Sequence, residues 1–137
     1  MLLFGISQLK KVKQFVAKRN SIALKYNKLF SELLIQLPFL NKNYYCSYHL
    51  YIINLKTEKL TKSHEEIFIQ LKKHGLGVNV HYMPIHLHPY YRKLGFKKNM
   101  FVNAENYSKK AISIPLYPSL SDRDLKKVVS IIKKIIS

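Results

Sequence analysis

Three of the six histidines fall in one run, HYMPIHLHPYYRKLGF at 81–96, together with three tyrosines and two prolines. Imidazole is a common metal ligand, but a helical zinc site would space two histidines four apart around a glutamate, or add cysteine pairs. Here His81, His86 and His88 are spaced by five and two, Pro84 and Pro89 interrupt any helix, and the nearest carboxylate in that direction is Glu105. No metal site is expected. Cys46 has His49 three residues away on the same expected strand, where the two side chains point to opposite faces. A thiol nucleophile with its base is therefore not formed there, and a buried structural cysteine is the expectation. Six of the seven acidic residues, all but Glu58, sit at or within expected helices, which leaves no carboxylate pair for acid and base work. Gly5, Gly75, Gly77 and Gly95 form no phosphate-cradling pattern, and GLG at 75–77 reads as a helix stop and a turn. YYRKLGFKK at 90–98 could stack bases and pair phosphates, or could be tyrosines half-buried around a turn with cations outside.

The elements that must position these residues follow from hydrophobic period. Leu9, Val12, Val16, Ala23, Tyr26, Phe30 and Leu33 recur at helical spacing, and Phe15, Ile22 and Leu29 widen the stripe. This predicts one long amphipathic helix of about 28 residues within 1–36, ended by Pro38. Residues 44–55, YYCSYHLYIINL, are rich in aromatic and β-branched types and predict an internal strand. Tyr48, Leu50 and Ile52 would share one face, and His49, Tyr51, Ile53 and Leu55 the other. Ser63 and Glu66 form a capping box ahead of a helix with Ile67, Phe68 and Leu71 inward, stopped at Gly75. A short strand is expected at Val78–His81, a helix at Asn103–Lys110, and a strand at Ile112–Leu116 whose Pro115 argues for an edge. The last helix starts at Ser121 and buries Leu125, Val128, Val129, Ile132 and Ile136. Helices and short strands alternate through one compact unit, an α/β (α+β) pattern.

The 137 residues carry 24 Lys plus Arg against 7 Asp plus Glu, a formal charge of +17, so the surrounding field draws anions. The cations are dispersed in pairs such as Lys72-Lys73 and Lys97-Lys98 rather than gathered in a block, which argues against a dedicated nucleic-acid arm. A small basic nucleic-acid-binding module remains the alternative reading. One cysteine excludes an intrachain disulfide and suits a reducing compartment, so the cytoplasm is the expected location. The start MLLFGIS has no secretory pattern, and no apolar run approaches a membrane span.

Four separated motifs occur in a familiar order: SQLKK at 7–11 with AKRN at 17–20, SYHLYII at 47–53, HEEIFIQLKKHGLGVNVHYMPIHLHPYYRKLGF at 64–96, and NAENYSKKAISIPLYPSLSD at 103–122. Together they resemble the C-terminal part of the DegT/DnrJ family of PLP-dependent sugar aminotransferases, across nearly the whole chain. HYMPIHLHPYY is most similar to the branch that serves pseudaminic acid-type sugars. The resemblance implies the small domain of a fold type I aminotransferase: a long N-terminal helix linking to the other domain (1–36), then a small α/β domain (44–137) with a mostly antiparallel sheet. It implies an amino group moved from glutamate, through pyridoxal 5'-phosphate, to C4 of a UDP-linked 4-keto-6-deoxy sugar. The family's catalytic lysine and phosphate-binding residues lie in an N-terminal domain that no part of this sequence matches. A truncated or split gene, or an internal start, would account for that. The chain alone is then expected neither to bind the cofactor nor to be active, and its partners are a homodimer mate or a separately encoded N-terminal half. Substrate contacts carry over only to His81, Tyr82, Pro84 and His86 of the HY-x-P-x-H loop, with His49 of SYHLY beside them.

Overall fold

The computed structural model describes residues 2–41 and 43–136; Met1, Lys42 and Ser137 lie outside it, including the outermost positions of the segments expected at 1–36 and 44–137. At the centre is a three-stranded antiparallel sheet, ordered β1-β2-β3, of β1 (Ile35–Gln36), β2 (Tyr51–Leu55) and β3 (Ala111–Ile114). Strand alternation sends Tyr51, Ile53 and Leu55 to one face, where all three are buried, and leaves Ile52 and Asn54 half-buried on the other. The register sets Tyr51 opposite Ile114, Ile53 opposite Ile112 and Leu55 opposite Ile35, so apolar side chains pair across every strand of that face.

Six helices accompany the sheet among the described residues: α1 (Leu2–Leu9), α2 (Val12–Leu29), α3 (His64–Lys73), α4 (Pro89–Lys93), α5 (Val102–Ser108) and α6 (Asp122–Ile136). The core over the apolar sheet face is filled from α2 by Ile22, Ala23 and Tyr26, from α3 by Ile67 and Leu71, and from α6 by its apolar stripe. All five residues expected on the α6 stripe are buried, and Ile135 joins them. At α3 the capping box forms: Ser63 accepts from the Glu66 amide, and the Glu66 carboxylate accepts from the Ser63 amide at 2.7 Å. The helix closes on Gly75, at φ 78, with Gly75 N–H donating to Lys72 O and Leu76 N–H to Leu71 O. That pair of bonds is a Schellman stop, and it folds buried Leu76 back beside buried Leu71.

Three expectations change. The single helix across 1–36 is instead α1 and α2, separated at Lys10-Lys11, and α2 ends at Leu29, well before Pro38. The segment that would have continued it gives Ile35 and Gln36 to β1, whose ladder with Leu55 and Asn54 takes up the backbone groups. The stripe is also buried only from Val16 on, since Leu9 and Val12 are exposed. The strand expected from residue 44 starts at Tyr51. Two side chains of α2 hold the preceding loop: Arg19 Nε donates to Ser47 O at 2.8 Å and Asn20 Nδ2 to Cys46 O at 3.0 Å. The chain then turns at Tyr48, at φ 44, which puts Tyr48 into the core and leaves His49 exposed instead of on the Tyr51 face. The strand expected at Val78–His81 shrinks to one antiparallel bridge, Asn79 with Ser113.

Ile53 is fully buried between β3 and the helices, so Ile53→Ala is expected to cost about 2–5 kcal/mol through lost burial and a residual cavity. Ser63→Ala, which removes only the cap, is expected to cost about 1 kcal/mol. Urea denaturation of both variants tests this ranking.

Candidate functional site

Between Val78 and Ile112 the chain leaves the main core, which takes no residue from 79–110. The excursion starts at a bridge to β3, where Asn79 N–H donates to Ser113 O at 3.2 Å and Ser113 N–H to Asn79 O at 2.9 Å, and it ends where Lys110 O accepts the Leu55 N–H at 2.9 Å. After Pro84 a 3-10 turn, Ile85–Leu87, leads directly into α4, with Pro89 at its first turn, where a missing amide costs nothing. Gly95, at φ 97, ends α4 by the same Schellman pattern as at Gly75: its N–H donates to Arg92 O, and Phe96 N–H donates to Tyr91 O. The stop brings the Phe96 ring against Tyr91, edge to face at 6.2 Å between centroids. Asn99 then adopts φ 71, a left-handed conformation that asparagine tolerates, before α5.

The excursion is fastened by one carboxylate. Glu105 Oε1 lies 2.9 Å from His86 Nε2 and accepts the Asn99 N–H at 2.7 Å. Both partners are enclosed, His86 at 7% and Glu105 at 3% exposure, so the pair is shielded from solvent and held in one geometry. The hydrogen bond from His86 is the main cause holding the Glu105 carboxyl below its ordinary value; burial opposes the shift and the Asn99 amide adds to it. Around His86 a cleft of about 550 Å³ opens, walled mainly by carbon from Tyr82, Pro84, Tyr91, Phe96, Phe101 and Tyr107. Phe101 packs on the His86 ring at 4.8 Å.

Three of the five expected contact residues, Tyr82, Pro84 and His86, therefore share this cleft. His81 lies beside it, its ring 4.6 Å from that of Tyr82 and both ring nitrogens enclosed without a partner. His49 stands exposed ahead of β2 and is not part of the cleft wall. Cys46 is half-buried, its Sγ accepting from the Tyr48 amide at 3.3 Å. Two of the three histidines that invited a metal reading are engaged elsewhere: His86 with Glu105, and His88 Nε2 toward Met83 O at 3.3 Å. Among the described residues no group of three or more His, Cys, Asp or Glu is placed to hold a metal, and no helix is long and apolar enough to cross a membrane.

Residues 3–133 match the profile of the DegT/DnrJ/EryC1/StrS aminotransferase family. The chain belongs to that family. A Methanocaldococcus jannaschii protein described as uncharacterised is 40% identical over 136 residues, which cover 97% of this chain and 35% of that protein. The Bacillus subtilis spore coat polysaccharide biosynthesis protein SpsC is 36% identical, over 96% of this chain and 35% of its own. Among solved structures, Helicobacter pylori PseC, an aminotransferase of pseudaminic acid biosynthesis, superposes with a TM-score of 0.87 at 28% identity, over 96% of this chain and 35% of its own. Streptococcus pneumoniae Spr1654 in its apo form gives 0.86 at 28% identity, over 96% and 33%. The chain thus spans about a third of the length of these relatives, and corresponds to their C-terminal part. The family assignment lends no support to a nucleic-acid-binding module.

Pyridoxal phosphate, the cofactor of the DegT family, does not fit the residues of the cleft. Among the described residues no lysine or arginine lines it, and the carboxylate behind it is already committed to His86 and Asn99. The residue that sequence reasoning missed is Glu105. Its signal was present: in a chain of net +17, it is the only acidic residue between Glu66 and Asp122.

Glu105→Gln is expected to destabilise the chain at neutral pH. Because the folded carboxyl titrates below its ordinary 4.5, its contribution is complete above that pH and disappears as pH falls through the lower, folded value. Urea denaturation as a function of pH should therefore show the gap between wild type and variant closing on acidification below 4.5.

Proposed function

We propose that this chain is the substrate-side small domain of a PLP-dependent sugar aminotransferase, one that moves an amino group from glutamate to C4 of a UDP-linked 4-keto-6-deoxy sugar for pseudaminic acid-type products. The observation that carries the reading is the likeness to PseC, at TM-score 0.87 and 28% identity over 96% of the chain. Amino transfer needs an electron sink that side chains do not supply, and PLP is that sink. In this reading the cofactor is held by residues outside these 137, supplied within a longer chain or by a separately encoded half, in a homodimer acting in the cytoplasm. Here Tyr82, Pro84 and His86 form one wall of the sugar-nucleotide pocket, with His81 and His49 at its border. The +17 field favours entry of the anionic nucleotide.

A chimera of PseC whose C-terminal third is replaced by this chain tests the reading. The 137 residues alone, given PLP and glutamate, are expected to aminate no sugar, while a folded chimera that binds PLP is expected to aminate the UDP-linked 4-keto sugar. Amination by the chain alone, or by the chimera only of a different keto-sugar, would contradict it.

The same reading assigns a cover to the second sheet face. Over it lies a hollow of about 230 Å³ bordered by Phe39, Leu40, Leu50, Ile52 and Tyr107, with Phe39 89% exposed. Apolar surface of this kind marks a site of association. The isolated chain is expected to bind ANS and to self-associate; sedimentation as a monodisperse, ANS-silent monomer would count against the missing partner.

A further inference from the structure

The His86 ring is held asymmetrically. Its Nε2 faces the Glu105 carboxylate at 2.9 Å. An ionised carboxylate offers only lone pairs, so a neutral imidazole facing it must carry its proton on Nε2. The other nitrogen, Nδ1, is then an acceptor. Nδ1 has no hydrogen-bond partner among the described residues, and unlike both ring nitrogens of His81 it is not enclosed. His86 belongs to the cleft wall, which is otherwise largely the carbon of aromatic rings and Pro84.

We propose that Glu105 is a positioning residue: when the His86 ring is neutral, Glu105 holds its proton on Nε2 and leaves Nδ1 on the cleft side as a hydrogen-bond acceptor, so that the cleft selects an apolar or aromatic group bearing one hydroxyl or N–H donor. The selection has a physical basis on each side. A donor placed against Nδ1 pairs a polar atom that the carbon wall leaves unserved. A carbonyl or ether oxygen in the same place sets lone pair against lone pair and leaves both unpaired. The Asn99 amide matters as well, because a second donor on the same carboxylate oxygen stops Glu105 from swinging away from the ring. The Phe101 ring, packed on the imidazole, resists the ring flip that would exchange the two nitrogens. The inference rests on the proposed function only in taking the cleft as a ligand pocket, and no part of it requires amino transfer.

The test uses the full chain with 15N-labelled histidine, at about pH 8.5, roughly two units above the ordinary histidine value. Two-bond proton–nitrogen spectra report which nitrogen carries the proton. The expected result is a single His86 form with Nε2 protonated and Nδ1 bare. A ring protonated on Nδ1, or an even mixture of the two forms, would overturn the proposal in the wild-type chain with no variant needed. In Glu105→Gln the amide can donate as well as accept, so a folded variant is expected to show mixed forms; an unchanged His86 spectrum would remove Glu105 from the role. Phenol and anisole serve as probes, sharing a ring and differing in the donor. Phenol is expected to bind about five-fold more tightly, the ratio given by one net hydrogen bond of ordinary strength, with the preference falling toward parity in Glu105→Gln. Equal binding, or no binding of either, would refute donor selection. Since none of these readings involves PLP or a keto-sugar, this inference and the aminotransferase reading can fail separately.

Discussion

Two buried phenols tie the helical layer to the sheet. Tyr26 on α2 stacks on Phe30 at 5.3 Å and leans on Tyr51 of β2 at 5.1 Å, while its hydroxyl donates to Pro115 O at 2.8 Å, just past the end of β3. Tyr51 returns the tie, its hydroxyl donating to Asn27 Oδ1 on α2. Burial is the main cause that raises both phenols well above their ordinary titration range, so they remain neutral donors. Strands of two, five and four residues form few ladder bonds, too few to hold a sheet alone. The clasp supplies what the ladder lacks, joining one helix to the central strand and to the exit of an edge strand. With β2 and β3 held, Ile53 and Ile112 present the surface on which α3 and α6 close.

The parts of this fold that could be read from the sequence are those settled within a few residues. The Ser63–Glu66 box, the Gly75 stop, the α6 stripe and the central place of β2 depend on local spacing, and each forms as expected. The misreadings occur where a distant partner decides. YYCSYHL has every mark of a strand, but Arg19 and Asn20, more than twenty residues upstream, take the carbonyls of Ser47 and Cys46 that a ladder would have used. The α2 pattern runs on through Leu33, but Leu55, twenty residues after Ile35, draws that segment into the sheet. At the cleft, the grouping of Tyr82, Pro84 and His86 was legible because they lie within five residues of one another and resemble a family motif. Glu105 could not be paired with His86 by spacing, since the two are nineteen positions apart with two reversals of the chain between them.

The large positive charge takes on a different meaning once the acids are placed. Asp122 pairs with Lys25 at 2.6 Å and Glu58 with Lys110 at 3.4 Å; Glu66 and Asp124 serve helix starts, and Glu105 serves the cleft. The few carboxylates are thus largely occupied with local structure, and most of the cationic excess is left unopposed. That excess acts outward, as long-range attraction for anions, and contributes little to holding the fold together.

The excursion that bears the cleft leaves the sheet at the Asn79–Ser113 bridge, rejoins it where Lys110 O accepts the Leu55 amide, and shares no residue with the main core. Such an arrangement behaves as a flap on a narrow hinge: its aromatic cluster and the Glu105 fastening can loosen together while Tyr26, Ile53 and Ile132 stay packed. Amide exchange across 80–110 would then report a free energy of its own, smaller than that of global unfolding. The shape of the ligand-facing wall and the endurance of the fold become separate quantities, so mutation can alter the first without spending the second.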